Sequence, residues 1–481
     1  MTAARWTPVL TGAAAVFTVA VAAWITVCLQ SGRMLAAAVP VAALIGVAVL
    51  LLALTRFAAY VLVLLAVRPM VDLVKLSGPA AGRADAGGVS RAFDPSTLLA
   101  VLFLLAAGLW LAARARRGGG LRVSPLGVSL LLVGATAVVS ALGAERLGVS
   151  MLEALRILTV VVMFLVLEQL VAERGMARRV LVACFVALAL VLAYTAVMSA
   201  LGHPPAEVKG SFTRISGPFA QSTTLGRFLM FLLIFGAAVH RHVAGRARPL
   251  LGVLLAVAAV VLLLTNTRGA ILAAALGLLV VAAVRRSARL LLAVGLAGVL
   301  ALAALPAVGA RFAQLGEARA PGGAPTGNTW DWRLDYWGQI VSLAGRNPVT
   351  GIGPNMTQSQ TAEAKKPHND ILRAYVETGV LGLAAYLAML VLMLRAAASA
   401  VRRAPPDSAR RGAAIGFLGC AVAFVAVSAV SNVLSNVATL WYLMAFAAVA
   451  LAAGASATGA PATGASASRR QAAAPVAARL P

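Results

Sequence analysis

Apolar runs of about 20 residues recur along this chain, and that is the length an α-helix needs to cross the hydrocarbon of a bilayer. Such runs lie near residues 9–29, 36–54, 57–74, 96–113, 125–142, 153–171, 178–200, 223–240, 248–264, 269–284, 288–309, 377–396, 412–431 and 436–454. Several are separated by only a few residues, so the reading is about 12 to 14 spans. With 61% of residues hydrophobic, 12% charged and a mean hydropathy of +0.92, the polar surface is too small to enclose a water-soluble core. Outer-membrane strands alternate polar and apolar residues over about 10 positions, which these runs do not. The expected fold is therefore an all-α polytopic membrane protein with one large extracytoplasmic loop containing short interfacial helices.

A formal charge of +26 invites a nucleic-acid reading, but the distribution of the charge excludes it. Arginines fall in blocks at alternate connections: RARRGGGLR at 114–122, ERGMARR at 173–179, RHVAGRARP at 241–249, RRSAR at 285–289, and the stretch from Arg395 to Arg411. Alternation of this kind orients a membrane protein, with the basic loops and both termini on the cytoplasmic side. The division that follows is N-terminal transmembrane helices over 1–309, an extracytoplasmic loop over 310–376 and C-terminal transmembrane helices over 377–454. The Ala/Gly/Ser/Pro-rich tail at 455–481 has nothing to bury and is expected to be disordered. Cys28, Cys184 and Cys420 stand singly in separate runs and read as buried thiols, not as a disulfide or metal framework.

The polar chemistry concentrates on the outer side. Arg214 lies in SFTRISGPFAQSTTLGRF, where Ser222, Thr223 and Thr224 are candidate caps for the next span. Arg268 lies in TNTRGA, a tight hairpin between two spans, where a charge at depth is costly. A guanidinium suits bidentate phosphate recognition, so two of them near a membrane surface suggest a diphosphate.

In KKPHNDILRAYVETGVLG, residues 365–382, Pro367 stops a helix from extending backward and Asn369 can cap its start. Asp370, Arg373 and Glu377 share one face and read as a self-paired, solvated row. His368 points away from that row. The residues alone leave two readings of it: a polar cap, or an imidazole facing a cavity as a general base, kept neutral by Lys365 and Lys366. Asn369, Arg333, Lys365 and Lys366 are candidate supporting residues.

HNDILRAYVETGVLG resembles the H-[NSQ]-x9-G-x2-[GTY] pattern of the O-antigen ligase and polymerase family, with His368, Asn369, Gly379 and Gly382 in the matching places. TNTRGA is similar to that family's Ser-Arg-Gly-Ala hairpin, and TRISGPFAQSTTLG to its Arg-x-x-Gly-x-Phe segment, although Gln221-Ser222 stands where Asn-Pro is common. RLDYWGQIVSLAGRNPVTGIGPN resembles the Arg/Trp helix and Gly-x-Gly turn that precede the His.

The resemblance implies a metal-independent, inverting glycosyltransferase of the GT-C type in the inner membrane, needing no cofactor. Its donor would be a glycan on undecaprenyl diphosphate and its acceptor a glycolipid or glycan, such as lipid A core. Arg214 and Arg268 would hold the diphosphate, and His368 would take the acceptor's proton. A polymerase would use the same donor chemistry. A reading from another class is a transporter or flippase of lipid-linked sugars with the arginines as counter-ions. Against it, no internal repeat is visible and mid-span charges are few, Arg68 and Asp72 reading as a local pair.

Overall fold

The computed structural model describes residues 34–76, 95–118, 120–209, 212–304, 330–361 and 366–455, with isolated positions between 24 and 31. Most of the first expected span, Cys28, Lys365, residues 310–329 of the outer loop and the tail from 456 lie outside the described residues.

In chain order the long helices are α1 (Met34–Thr55), α2 (Phe57–Leu76), α3 (Pro95–Arg116), α4 (Pro125–Leu142), α5 (Leu147–Leu170), α6 (Met176–Ala200), α7 (Ser222–Val239), α8 (Ala247–Leu264), α9 (Arg268–Arg285) and α10 (Ala288–Ala304). Two shorter helices follow, α11 (Trp330–Ala344) and α12 (Met356–Gln360). Then come α13 (Asp370–Arg403), α14 (Ala409–Ser428) and α15 (Val437–Ala455). Among the described residues nine helices, α3 to α9 with α13 and α14, are long and apolar enough to cross a membrane. Helices α1, α2, α10 and α15 coincide with further apolar runs of the sequence. The chain is an all-α multi-pass membrane protein.

One element was not legible in advance. Two short strands, β1 (Ala206–Lys209) and β2 (Phe212–Ile215), pair antiparallel, with Glu207 facing Arg214. Their Val, Phe, Thr and Ile favour extended backbone, and an opposite-charge cross-strand pair adds to that preference.

Helix α7 is the most enclosed of the nine, with 83% of its apolar window buried. It packs on α8, α9, α14 and α15, and Phe235 stacks on Phe446 with centroids 4.0 Å apart. Where α9 crosses α14, a Cβ on Gly419 would stand 2.8 Å from the Gly277 carbonyl oxygen. Small residues at such a crossing give the close backbone approach on which packing in lipid depends. The basic loops gather at one end of the bundle: Arg114 pairs with Glu173 at 3.5 Å, Arg241 with Asp407 at 2.8 Å, and Arg285 donates to the Ala238 carbonyl.

At the opposite end α13 is broken by Gly379, whose φ of 67° and ψ of −170° belong to a region that is essentially glycine's alone. The break lets a strand-like turn dock into the helix. Ile352 N donates to Val376 O (3.1 Å), Gly353 N to Glu377 O (3.0 Å) and Val380 N to Pro348 O (2.9 Å). A Cβ at Gly379 would lie 2.1 Å from Val349 O, with no flexible atom to yield. Gly379→Ala is therefore expected to lower the melting temperature of the detergent-solubilised protein markedly. Gly338→Ala, on α11 with nothing within 4 Å of the added atom, is the matched control and should not. Equal melting of the two variants would show that the break is not structurally required.

Candidate functional site

Asn369 caps α13 as expected, its Oδ1 accepting from Ile371 N at 2.9 Å and Leu372 N at 3.1 Å. That cap, with Pro367 before it, leaves His368 in the left-handed region at φ 56°. A non-glycine residue pays for that conformation, so the surroundings must hold it there. Trp337 on α11 donates from Nε1 to the Pro367 carbonyl at 2.6 Å. His368 Nδ1 lies 3.5 Å from Asn432 Nδ2, and the ring is half-buried in the wall of a cavity.

The charged row after His368 is not solvated, contrary to its reading from spacing alone. Asp370, Arg373 and Glu377 are 0%, 2% and 3% exposed. Arg373 donates from Nε to Glu377 Oε2 (2.8 Å), from its two terminal nitrogens to Glu153 Oε1 (2.9 Å) and to Ser435 Oγ (2.6 Å). Glu377 also accepts from Asn355 N (2.8 Å) and Thr357 Oγ1 (2.5 Å), and Asp370 Oδ2 from Val433 N (2.7 Å) and Leu434 N (3.1 Å). Glu153 is shared with Arg156 at 3.2 Å. The i, i+4 pair formed; what spacing could not tell was that a third carboxylate on α5 would enclose it.

The loop between α14 and α15, residues 429–436, is the hub of the site. It meets Asp370, Arg373 and His368 as above, and Lys366 Nζ donates to Ser435 Oγ at 2.9 Å. Arg227, buried on α7, reaches Asn432 O at 3.0 Å and Ser431 Oγ, while its Nε has no partner among the described residues. Neither this loop nor Arg227 was singled out from the sequence. The available signals were the repeated Ser-Asn of SNVLSN between two apolar runs and an arginine one turn inside a span.

The cavity they enclose is about 530 Å³. Arg68, Arg156, Arg227 and Lys366 line it with His368, against a single acid, Asp72. Arg68 and Asp72 do pair, at 3.0 Å, but they form part of this wall. Burial pushes the Lys366 ammonium below its ordinary pKa, and Arg373 adds to the fall while Glu153 opposes it. Hydroxyl and amide groups of Thr223, Thr224, Ser435, Asn432 and Asn436, together with Trp441, complete the lining. A cavity of this composition suits a ligand with both anionic and hydroxyl groups.

Neither Arg214 nor Arg268 is among the residues that line the cavity. Arg214 is 3% exposed; its Nε donates to Thr265 O (2.9 Å) and a terminal nitrogen to Thr267 Oγ1 (2.9 Å), so it braces the turn that carries Arg268. Thr267 in turn donates to Ser222 O at 3.4 Å, next to the lining residues Gln221 and Thr223. The start of α7 is not capped by its own Ser or Thr, as the sequence suggested. Glu207 of β1 accepts from Ser222 N (3.2 Å) and Ser222 Oγ (2.5 Å) instead. Arg268 is half-buried at the first turn of α9, and its neighbour Gly269 faces Val427 and Val430. Arg333 donates to the Val430 carbonyl at 3.3 Å, so Arg268 and Arg333 both flank the hub loop.

No curated protein matches the chain. Residues 252–387, which include Arg268, Arg333, His368, Asn369 and the Gly379 break, match the family model described as O-antigen ligase. This chain thus carries the domain of the O-antigen ligase and polymerase family of membrane enzymes.

Proposed function

We propose that the protein transfers a glycan from undecaprenyl diphosphate to a sugar hydroxyl at the outer face of the inner membrane, with both termini in the cytoplasm. The observation that carries this reading is the meeting of His368 with Lys366, Arg227 and Arg156 in one cavity, a base beside a cationic lining. In the reaction the acceptor oxygen attacks the anomeric carbon from the side opposite the diphosphate, which inverts the configuration. The bond to the diphosphate oxygen breaks, and the hydroxyl proton passes to the His368 imidazole. Charge grows on the departing diphosphate, and preorganised cations stabilise it more in the transition state than in the ground state. Arg227 and Lys366 supply this from the cavity wall, and Arg268 from the hairpin that Arg214 braces. Asn369 fixes the ring by capping the helix behind it, and Arg333 anchors the hub loop from the other side. No metal or cofactor enters any step.

The test is an assay with purified protein, lipid-linked glycan and two acceptors offered separately, lipid A core and a second lipid-linked repeat. Transfer of one glycan to the core with EDTA present is the expected result. Chains that lengthen by repeats would replace the ligase reading with a polymerase, and loss of activity restored by a divalent ion would overturn the metal-free mechanism. In the same assay Arg268→Lys is expected to lower kcat/KM by about 10-fold or more, because a point ammonium cannot replace a planar fork. A wild-type rate would remove Arg268 from the diphosphate.

A further inference from the structure

A second cavity, of about 970 Å³, lies at the other end of the bundle, among the basic loops. The same helices that wall the His368 cavity reach it with their opposite ends: α5 contributes Arg156 to one and Glu168 to the other, and α15 contributes Ala438 to one and Ala452 to the other. At 1.5 Å per residue these pairs are roughly 20 Å apart along the helix axes. It is therefore a separate site.

Its lining is two-sided in chemistry. Leu392, Ala396 and Ser399 form a stripe along α13, and Leu451 faces them from α15, leaving an apolar groove between the two helices. Arg395 and Arg403 on α13 and Arg122 on the approach to α4 line the same recess, Arg395 level with the stripe and Arg403 one turn beyond it. All three are exposed, and their guanidiniums have no hydrogen-bond or ion-pair partner among the described residues. The one acid in the lining, Glu168, is committed to Ser124 N at 3.1 Å. A groove that is apolar within the bilayer and tricationic at its surface complements an amphiphile with an anionic head. Basic recesses between transmembrane helices commonly serve that purpose.

We propose that this recess binds an anionic phospholipid of the surrounding bilayer, its phosphate between Arg395, Arg403 and Arg122 and an acyl chain along the Leu392–Leu451 groove. Charge decides against the chain's own C-terminal segment as occupant, since residues 456–481 carry Arg469, Arg470 and Arg479 and no acid. A soluble phosphate would leave the apolar groove unfilled.

The experiment is thermal unfolding of the full-length protein in detergent with added phosphatidylglycerol, phosphatidylcholine or inorganic phosphate. Phosphatidylglycerol is expected to raise the melting temperature several degrees more than phosphatidylcholine, and the difference should vanish in the Arg395→Ala, Arg403→Ala double variant. Those side chains are exposed, so the variant should fold; Arg395→Lys, Arg403→Lys should keep part of the effect. An undiminished phosphatidylglycerol effect in the alanine variant would overturn the site. Equal stabilisation by inorganic phosphate would overturn the lipid.

Discussion

His368→Ala is expected to lower glycan transfer by about 10²- to 10⁴-fold, the range supplied by a positioned general base, while donor binding and membrane insertion persist. The expectation rests on where the imidazole stands: half-buried in the cavity wall, with Asn432 within 3.5 Å, Lys366 and Arg227 in the same lining, and the helix cap behind it. The backbone at φ 56° complicates the substitution, because alanine tolerates the left-handed conformation less well than histidine does. His368→Asn separates the two effects. Asparagine tolerates that conformation better, yet offers no basic nitrogen, so it should restore any lost stability and none of the transfer. If either variant kept wild-type turnover, His368 would be a structural cap, and the transporter reading of the same cationic cavity would gain the ground.

Arg373→Met is expected to be the most damaging single change in the fold. It would leave Glu377 without the Arg373 guanidinium and Glu153 with Arg156 as its one ion-pair partner among the described residues, both carboxylates being about 3% exposed. Removing one partner of a buried ion pair costs about 3–5 kcal/mol, because the remaining charge is stranded in low dielectric. A loss of that size is a large share of the stability of most proteins, so little folded protein should survive solubilisation. The compensated variant Glu153→Gln, Arg373→Met, Glu377→Gln should recover much of the melting temperature, since the two carboxylates that Arg373 paired with no longer carry a stranded charge. It should remain inactive, because Ser435 loses the Arg373 contact that helps fix the hub loop under Lys366 and His368. An Arg373→Met protein that melts with wild type would show that water reaches the cluster.

What could be read from the sequence was local in origin. Apolar runs fixed the helices, because the bilayer thickness sets their length. Pro367 and Asn369 fixed the start of α13, because capping involves only the first turn. The glycines at 379 and 382 are visible as a pattern, but their reasons are not: the turn at 348–353 docks against Gly379, and Gly382 lies against the Thr378 side chain. Partners distant in the chain were missed for the same reason. Arg373 and Glu153 are 220 positions apart, and an i, i+4 spacing is the same whether the row faces water or a third carboxylate. Arg227 draws no notice in the sequence because the groups it bonds, Ser431 and Asn432, lie more than 200 positions away. The spacing around Arg214 gives no sign of Thr265 and Thr267, more than 50 positions on, to which its guanidinium donates.

In the proposed reaction the cavity beside His368 receives the diphosphate-sugar end of the donor. Photo-crosslinking tests this most directly, using a lipid-diphosphate sugar analogue with a diazirine on the sugar and mapping adducts by mass spectrometry. Adducts are expected on the hub loop at 431–436, on the start of α7 at 221–227 and on Lys366. Adducts confined to the arginine-rich end of the bundle, or to lipid-facing helices remote from this cavity, would contradict the account.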